Sequence, residues 1–228
     1  MINTVELKTN FDFVFCIDRT ARCYFYAINE DLADHILTLR ERLEAMAMNE
    51  VGRIRVRFVL FSDYGTEVEP VIETEFFDLD SDGDAIRAAL NYTSGGGGDI
   101  PEDALEGLYF AMNSDFETVK GERNRHVIVL YTDSPAHPPR TNDAAPGYPE
   151  GMPASLAELR EMWESLPNRR YLRLFLLAPE LEPWSKIADW ANVYHTSEQS
   201  NFGEMTGEDL IGIITDPALA GVLGLCAI

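Results

Sequence analysis

The chain has 228 residues, of which 46% are hydrophobic and 25% charged, with 18 Lys and Arg against 39 Asp and Glu for a formal charge of −21. This is the composition of a globular protein with enough apolar material for a sizeable core, and it excludes a disordered chain. The acidic balance sets aside nucleic-acid backbones and anionic membrane surfaces as partners and favours divalent cations and basic protein surfaces.

Phe11–Asp18 (FDFVFCID) reads as a buried strand closed by an acid. Ile28, Leu32, Ile36, Leu39 and Leu43 follow at helical spacing and predict one long amphipathic helix from Tyr24 to about Asn49. Arg53–Ser62 (RIRVRFVLFS) alternates and then turns fully apolar, as a strand exposed at one end and buried at the other would. Glu69–Phe77 predicts a further strand, joined to it by a short connection as an antiparallel hairpin at the sheet edge. A short helix at Asp84–Asn91, the glycine run Gly95–Gly98 and a helix at Pro101–Met112 come next. His126–Thr132 (HVIVLYT) is another buried strand, followed by Asp133 and a long loop, Ser134–Pro153, stiffened by six prolines. Beyond it the pattern predicts a helix at Ala154–Ser165, a strand at Tyr171–Ala178, a helix at Trp184–Ala191, a short strand at Val193–His195 and a helical tail.

Such alternation predicts an α/β fold: a doubly wound, mostly parallel sheet with one antiparallel edge strand. The chain reads as a single domain, residues 1–228, with its core at 11–195 and a helical tail at 206–228. In sheets of this kind ligands bind beyond the carboxyl ends of the strands, where the strand order reverses. That rule singles out Asp18 onward, the Gly95–Pro101 loop and Asp133 onward.

Three stretches at those positions, Asp18-Arg19-Thr20-Ala21-Arg22, Gly97-Gly98-Asp99-Ile100-Pro101-Glu102-Asp103 and Thr132-Asp133-Ser134-Pro135, together resemble the von Willebrand factor A-type (vWA) domain, in particular its intracellular members with a G-G-x-D-x-P-E loop. The resemblance covers about Phe11 to His195 and implies a Rossmann-like fold with a metal-ion-dependent adhesion site. Carried over by position, it implies that Asp18, Thr20, Asp99 and Asp133 hold Mg²⁺ or Mn²⁺, whose open position takes a partner's carboxylate. Hard oxygen ligands suit such an ion. Arg22 departs from the pattern by standing where the family has a second hydroxyl. Two unit charges about 4 Å apart repel by about 4 kcal/mol at an effective dielectric of 20, and a dication roughly doubles that. Either Arg22 points away from a weakened metal site, or its guanidinium replaces the ion as a permanent counter-charge. Ser134, His137 and Arg140 are expected around the site or at the partner, with Tyr148 a further contact.

Asp18 or Asp133 taken alone reads better as a helix cap, and only together with Asp99 do they read as a site; Asp99 with Pro101 also makes an ordinary helix start. Gly95–Gly98 followed by Asp99 lacks the Lys and Ser/Thr of a phosphate-binding loop. The four histidines form no zinc motif, and solvation is the expected state of His137. The function expected is therefore a non-enzymatic module that binds a protein partner, of unspecified identity, at the loop face. The alternatives are a scaffold with a vestigial site or a Mg²⁺-dependent phosphatase of haloacid-dehalogenase type. For the phosphatase, Asp18-Arg19-Thr20 would be the nucleophile stretch and Asp80–Asp84 the acidic loop, but no lysine occurs between Lys8 and Lys120. Cys16, Cys23 and Cys226 make no C-x-x-C pair and leave an odd count, which fits a reducing compartment. With no basic, apolar leader and no run of about 18 apolar residues, the expected address is the cytoplasm. The apolar tail Leu219–Ile228 is expected to pack on the sheet or to join two copies.

Overall fold

The computed structural model describes residues 8–20, 25–46, 50–91, 99–197 and 205–223. Arg22, Cys23, the glycine run and the last five residues of the tail, with Cys226, lie outside the described residues.

β1 (Thr9–Asp18) is buried throughout except at Asn10. Alternate side chains leave a strand on opposite faces, so Phe11, Phe13, Phe15 and Ile17 enter one core, while Val14 and Cys16 enter another. Phe11, Phe13, Phe15 and Phe58 stack in a row at 5.8–6.1 Å between ring centres. β1 pairs in parallel with β2 (Val51–Phe61) on one side and with β5 (Arg123–Tyr131) on the other. β6 (Leu172–Leu177) and β7 (Val193–Thr196) extend the parallel sheet beyond β5. From β2 the order runs β2-β1-β5-β6-β7, so the strand order reverses between β1 and β5.

The expected edge strand is two pieces, β3 (Val71–Glu73) and β4 (Phe77–Asp78), both antiparallel to β2. Glu73 pairs with Val59 and Phe77 with Val56, so four steps on the edge oppose three on β2. The extra residue is a bulge that bends the edge, and Thr74 fills the gap by accepting the Phe58 N–H on its hydroxyl at 3.0 Å.

The expected long helix is likewise two, α1 (Phe25–Ile36) and α2 (Leu39–Met46). The Thr38 hydroxyl and N–H both donate to the His35 carbonyl, at 2.7 and 3.0 Å, and close α1 there. α1, α2, α3 (Gly83–Leu90) and α7 (Gly207–Ile214) cover the phenylalanine face. α4 (Ala104–Met112), α5 (Leu156–Ser165) and α6 (Trp184–Ile187) cover the other. α7 crosses α1 closely: a Cβ on Gly207 would lie 2.5 Å from the Leu32 Cα. Its capping box, Thr206 with Asp209, satisfies the first N–H groups.

α4 seats as closely on β2, because Gly107 leaves room for the Phe61 ring; a Cβ there would stand 2.6 Å from a ring carbon. Gly107→Ala is expected to destabilise the fold by about 1–3 kcal/mol through overpacking, read as a lower urea midpoint at unchanged slope.

Candidate functional site

Asp18 ends β1 at the place where the strand order reverses, and it is fully buried. One carboxylate oxygen accepts the Thr20 N–H at 3.0 Å and its hydroxyl at 2.8 Å. The other accepts the Thr132 hydroxyl at 2.7 Å. The Thr132 hydroxyl oxygen in turn accepts the Ser134 N–H at 3.1 Å, and the Ser134 hydroxyl donates to Asp133 at 3.0 Å. Asp18, Thr20, Asp133 and Ser134 are thus brought together as the sequence predicted. Burial, against which the three hydrogen bonds work, and the nearby Asp133 charge hold the Asp18 carboxyl up at about 6.

The sequence reading missed Glu102. The segment entering α4 is pinned to the loop after β5 by a parallel bridge: the Glu102 N–H donates to the Pro135 carbonyl at 3.0 Å and the His137 N–H to the Glu102 carbonyl at 2.9 Å. This brings the Glu102 side chain, 0% exposed, into the crest with no hydrogen-bond partner on either oxygen among the described residues. Burial, with the charges of Asp18, Asp63, Asp103 and Asp99 in that order, pushes its carboxyl up to about 9. A buried carboxylate surrounded by acids is costly unless a proton or a cation accompanies it. An acid just before a helix start was the only sequence signal; the bridge that turns it inward joins residues 34 positions apart.

Asp99, expected beside Asp18, is an exposed side chain whose carboxylate lies 3.3 Å from His137 Nε2. Asp63, at the end of β2, completes a group in which one ligand atom of each residue lies within 4.8 Å of the others. His137 is correspondingly buried, at 9% exposure, against the expectation of a solvated ring. The helix start expected at Asp99 and Pro101 falls instead at Asp103, because the Glu102 bridge holds the preceding chain extended.

The proline-rich loop folds back over this crest. Asn142 donates to Asp63 at 3.0 Å and to Asp103 at 2.9 Å. Tyr148, expected to face a partner, donates to Glu106 instead, and its ring meets Tyr64 edge-on at 5.1 Å. Burial and the Asp103 charge raise the Glu106 carboxyl to about 7. Arg140 is exposed, with its guanidinium 3.6 Å from Asp143. The Arg19 guanidinium donates to the Glu69 carbonyl, near the Glu67 and Glu69 charges.

The acidic loop Asp80–Asp84 is at the other end of the sheet. Asp78, just before it, pairs with Arg55, which pairs with Asp12 near the start of β1. Asp80 is bound by Arg40 at 2.6 Å. The loop therefore does not share the Asp18 crest, as the phosphatase arrangement requires.

No helix among the described residues is long and apolar enough to cross a membrane. No protein-family model matches the chain, and no curated protein matches it. Solved structures match it in fold. The pilus adhesin SpaC from Lactobacillus rhamnosus GG aligns with 96% of this chain at a TM-score of 0.52 and 10% identity. The PilB minor pilin from Streptococcus sanguinis aligns with 97% at a TM-score of 0.52 and 13% identity. The chain spans 31% of the length of the first and 64% of the second. Its architecture is thus a Rossmann-like α/β fold also found in a pilus adhesin and a minor pilin.

Proposed function

We propose that this chain is a non-catalytic, vWA-like binding module that captures a protein partner at the crest of its sheet through a shared Mg²⁺ or Mn²⁺ ion. The observation that carries the reading is the Glu102 carboxylate, buried, unpartnered and in the field of Asp18. Asp18, Thr20, Glu102 and Asp133 are the residues that would hold the ion, in part through its waters, because the carboxylates of Asp18, Glu102 and Asp133 do not all lie within 4.8 Å of one another. An all-oxygen set suits a hard dication that keeps several waters. When bound, the ion supplies an electrophilic position for a carboxylate of the partner. Asp18 and Thr132 hold the set in register, and Ser134 orients Asp133. The fold likeness to an adhesin and a minor pilin is compatible with a binding role and says nothing of partner or metal.

The test is calorimetric titration of Mg²⁺, which the all-oxygen set suits, into chelator-treated protein. Micromolar binding is expected, lost in Asp18→Ala while the circular dichroism spectrum stays native. A silent titration of the wild-type protein overturns the cation and leaves the Arg22 guanidinium as the counter-charge.

A further inference from the structure

Asp99 meets Asp63 and His137, which come from the loops after β2 and β5. Two features separate this cluster from a solvated acidic patch. First, Asp63 and His137 are 4% and 9% exposed, so they are fixed by the fold. Second, two carboxylates beside them are fully buried with at least one oxygen unpartnered. Glu102 has neither oxygen satisfied, and Asp103 has one oxygen satisfied by Tyr64 and Asn142 and the other unpartnered. Asp103 lies against Asp63, with which it shares the Asn142 amide. Among the described residues no Lys or Arg forms an ion pair with Asp63, Asp99, Glu102 or Asp103, and the His137 imidazole lies against Asp99.

We propose that Asp63, Asp99 and His137, backed by Asp103, form a second cation site beside the first, one that takes the borderline dication Zn²⁺ and accepts the harder Mn²⁺ as a substitute. Imidazole is a ligand for these ions, whereas Mg²⁺ takes oxygen donors and waters. Ligands about 2.1 Å from one ion stand at most about 4.2 Å apart. A group already within 4.8 Å closes by a small rotation of the exposed Asp99 side chain, which also leaves an entry path from solvent. The Asn142 amide braces Asp63 from behind, as outer-shell groups do at metal centres. The site stands apart from the proposed partner capture, because its direct ligands are other residues.

The experiment uses the whole chelator-treated chain. Zn²⁺ binding is measured by equilibrium dialysis, and bound Mn²⁺ is examined by electron spin echo for modulation by a directly ligated ¹⁴N nucleus. The wild-type protein is expected to show that modulation. His137→Ala should abolish it and weaken Zn²⁺ binding by more than the roughly 10–100-fold that an outer-shell change costs. Asp63→Asn should weaken Zn²⁺ similarly, while Asp18→Ala leaves both signals intact even if it destroys Mg²⁺ binding. Absence of nitrogen modulation in the wild-type protein, which needs no variant to fold, overturns the proposal. So does Zn²⁺ binding that neither His137→Ala nor Asp63→Asn alters.

Discussion

Glu102→Gln is expected to make the cation-free protein more stable and, at the same time, unable to bind its cation. At neutral pH the wild-type protein must either bury a carboxylate among four acids or carry a proton there. The glutamine is neutral, has nearly the same shape, and brings two N–H donors into a site surrounded by the charges of Asp18, Asp63, Asp103 and Asp99. Removing an unsatisfied buried charge in this way is worth about 1–3 kcal/mol. Loss of a carboxylate ligand should weaken Mg²⁺ by at least the roughly 10–100-fold that outer-shell changes produce at metal centres. A urea midpoint that falls, or a titration that matches wild type, would contradict this account of the site.

The same chemistry gives stability a pH dependence of known sign. Asp18, Glu106 and Glu102 titrate in the native protein near 6, 7 and 9, above their ordinary values of 3.8, 4.5 and 4.5. The native state therefore holds protons that the unfolded chain has released, and stability falls as pH rises across that interval. It is fully present below the ordinary values and lost progressively as pH climbs toward 9. Saturating Mg²⁺ should flatten the loss, since the ion binds the deprotonated ligands. Urea midpoints at acid and alkaline pH, with and without Mg²⁺, measure both effects.

Asp12→Ala is expected to do the reverse at the other end of the same strand. Asp12 is 5% exposed and accepts both Nε and Nη2 of Arg55, at 2.7 and 2.6 Å, and the Glu117 N–H at 2.7 Å. Arg55 also lies 4.3 Å over the Phe76 ring. Removing the acid leaves the guanidinium with Glu117 at 3.6 Å and the charge of Asp115 as weaker substitutes. Breaking a buried pair costs about 3–5 kcal/mol, and the partial substitutes place this case toward the lower end. Cation binding should be unchanged, because Asp12 and Asp18 are separated by about 20 Å of extended strand at ~3.3 Å per residue. An Asp12→Ala protein of wild-type stability would show that the pair contributes nothing. The contrast between Asp12 and Glu102 is that one acid is paired and the other is not, and it decides the sign of each effect.

Much of this was legible in the amino-acid order. An apolar run such as Phe11–Ile17 has few ways to avoid water other than as an interior strand, and acids at the ends of such runs come to the strand tips. Asp18, Thr20, Asp133 and Ser134 were readable for that reason: each lies within three residues of a strand end and needs no distant partner to place it. The hairpin edge was legible in type but not in register, because the extra residue between Glu73 and Phe77 changes no hydrophobic pattern. The break at Leu37–Thr38 was hidden in the same way, since Leu39 and Leu43 stay in the core on either reading.

By itself, then, the sequence determined the α/β class, the stacking of helices on both faces and the gathering of acids at one crest, because burial of apolar residues at fixed periods leaves little choice. Which acid faces which neighbour was decided only by the tertiary structure. Glu102 turns inward and Asp99 outward because backbone hydrogen bonds between Glu102, Pro135 and His137 set the direction of the chain entering α4. Such bonds join groups that every residue type possesses, and so leave no mark on the order of the side chains.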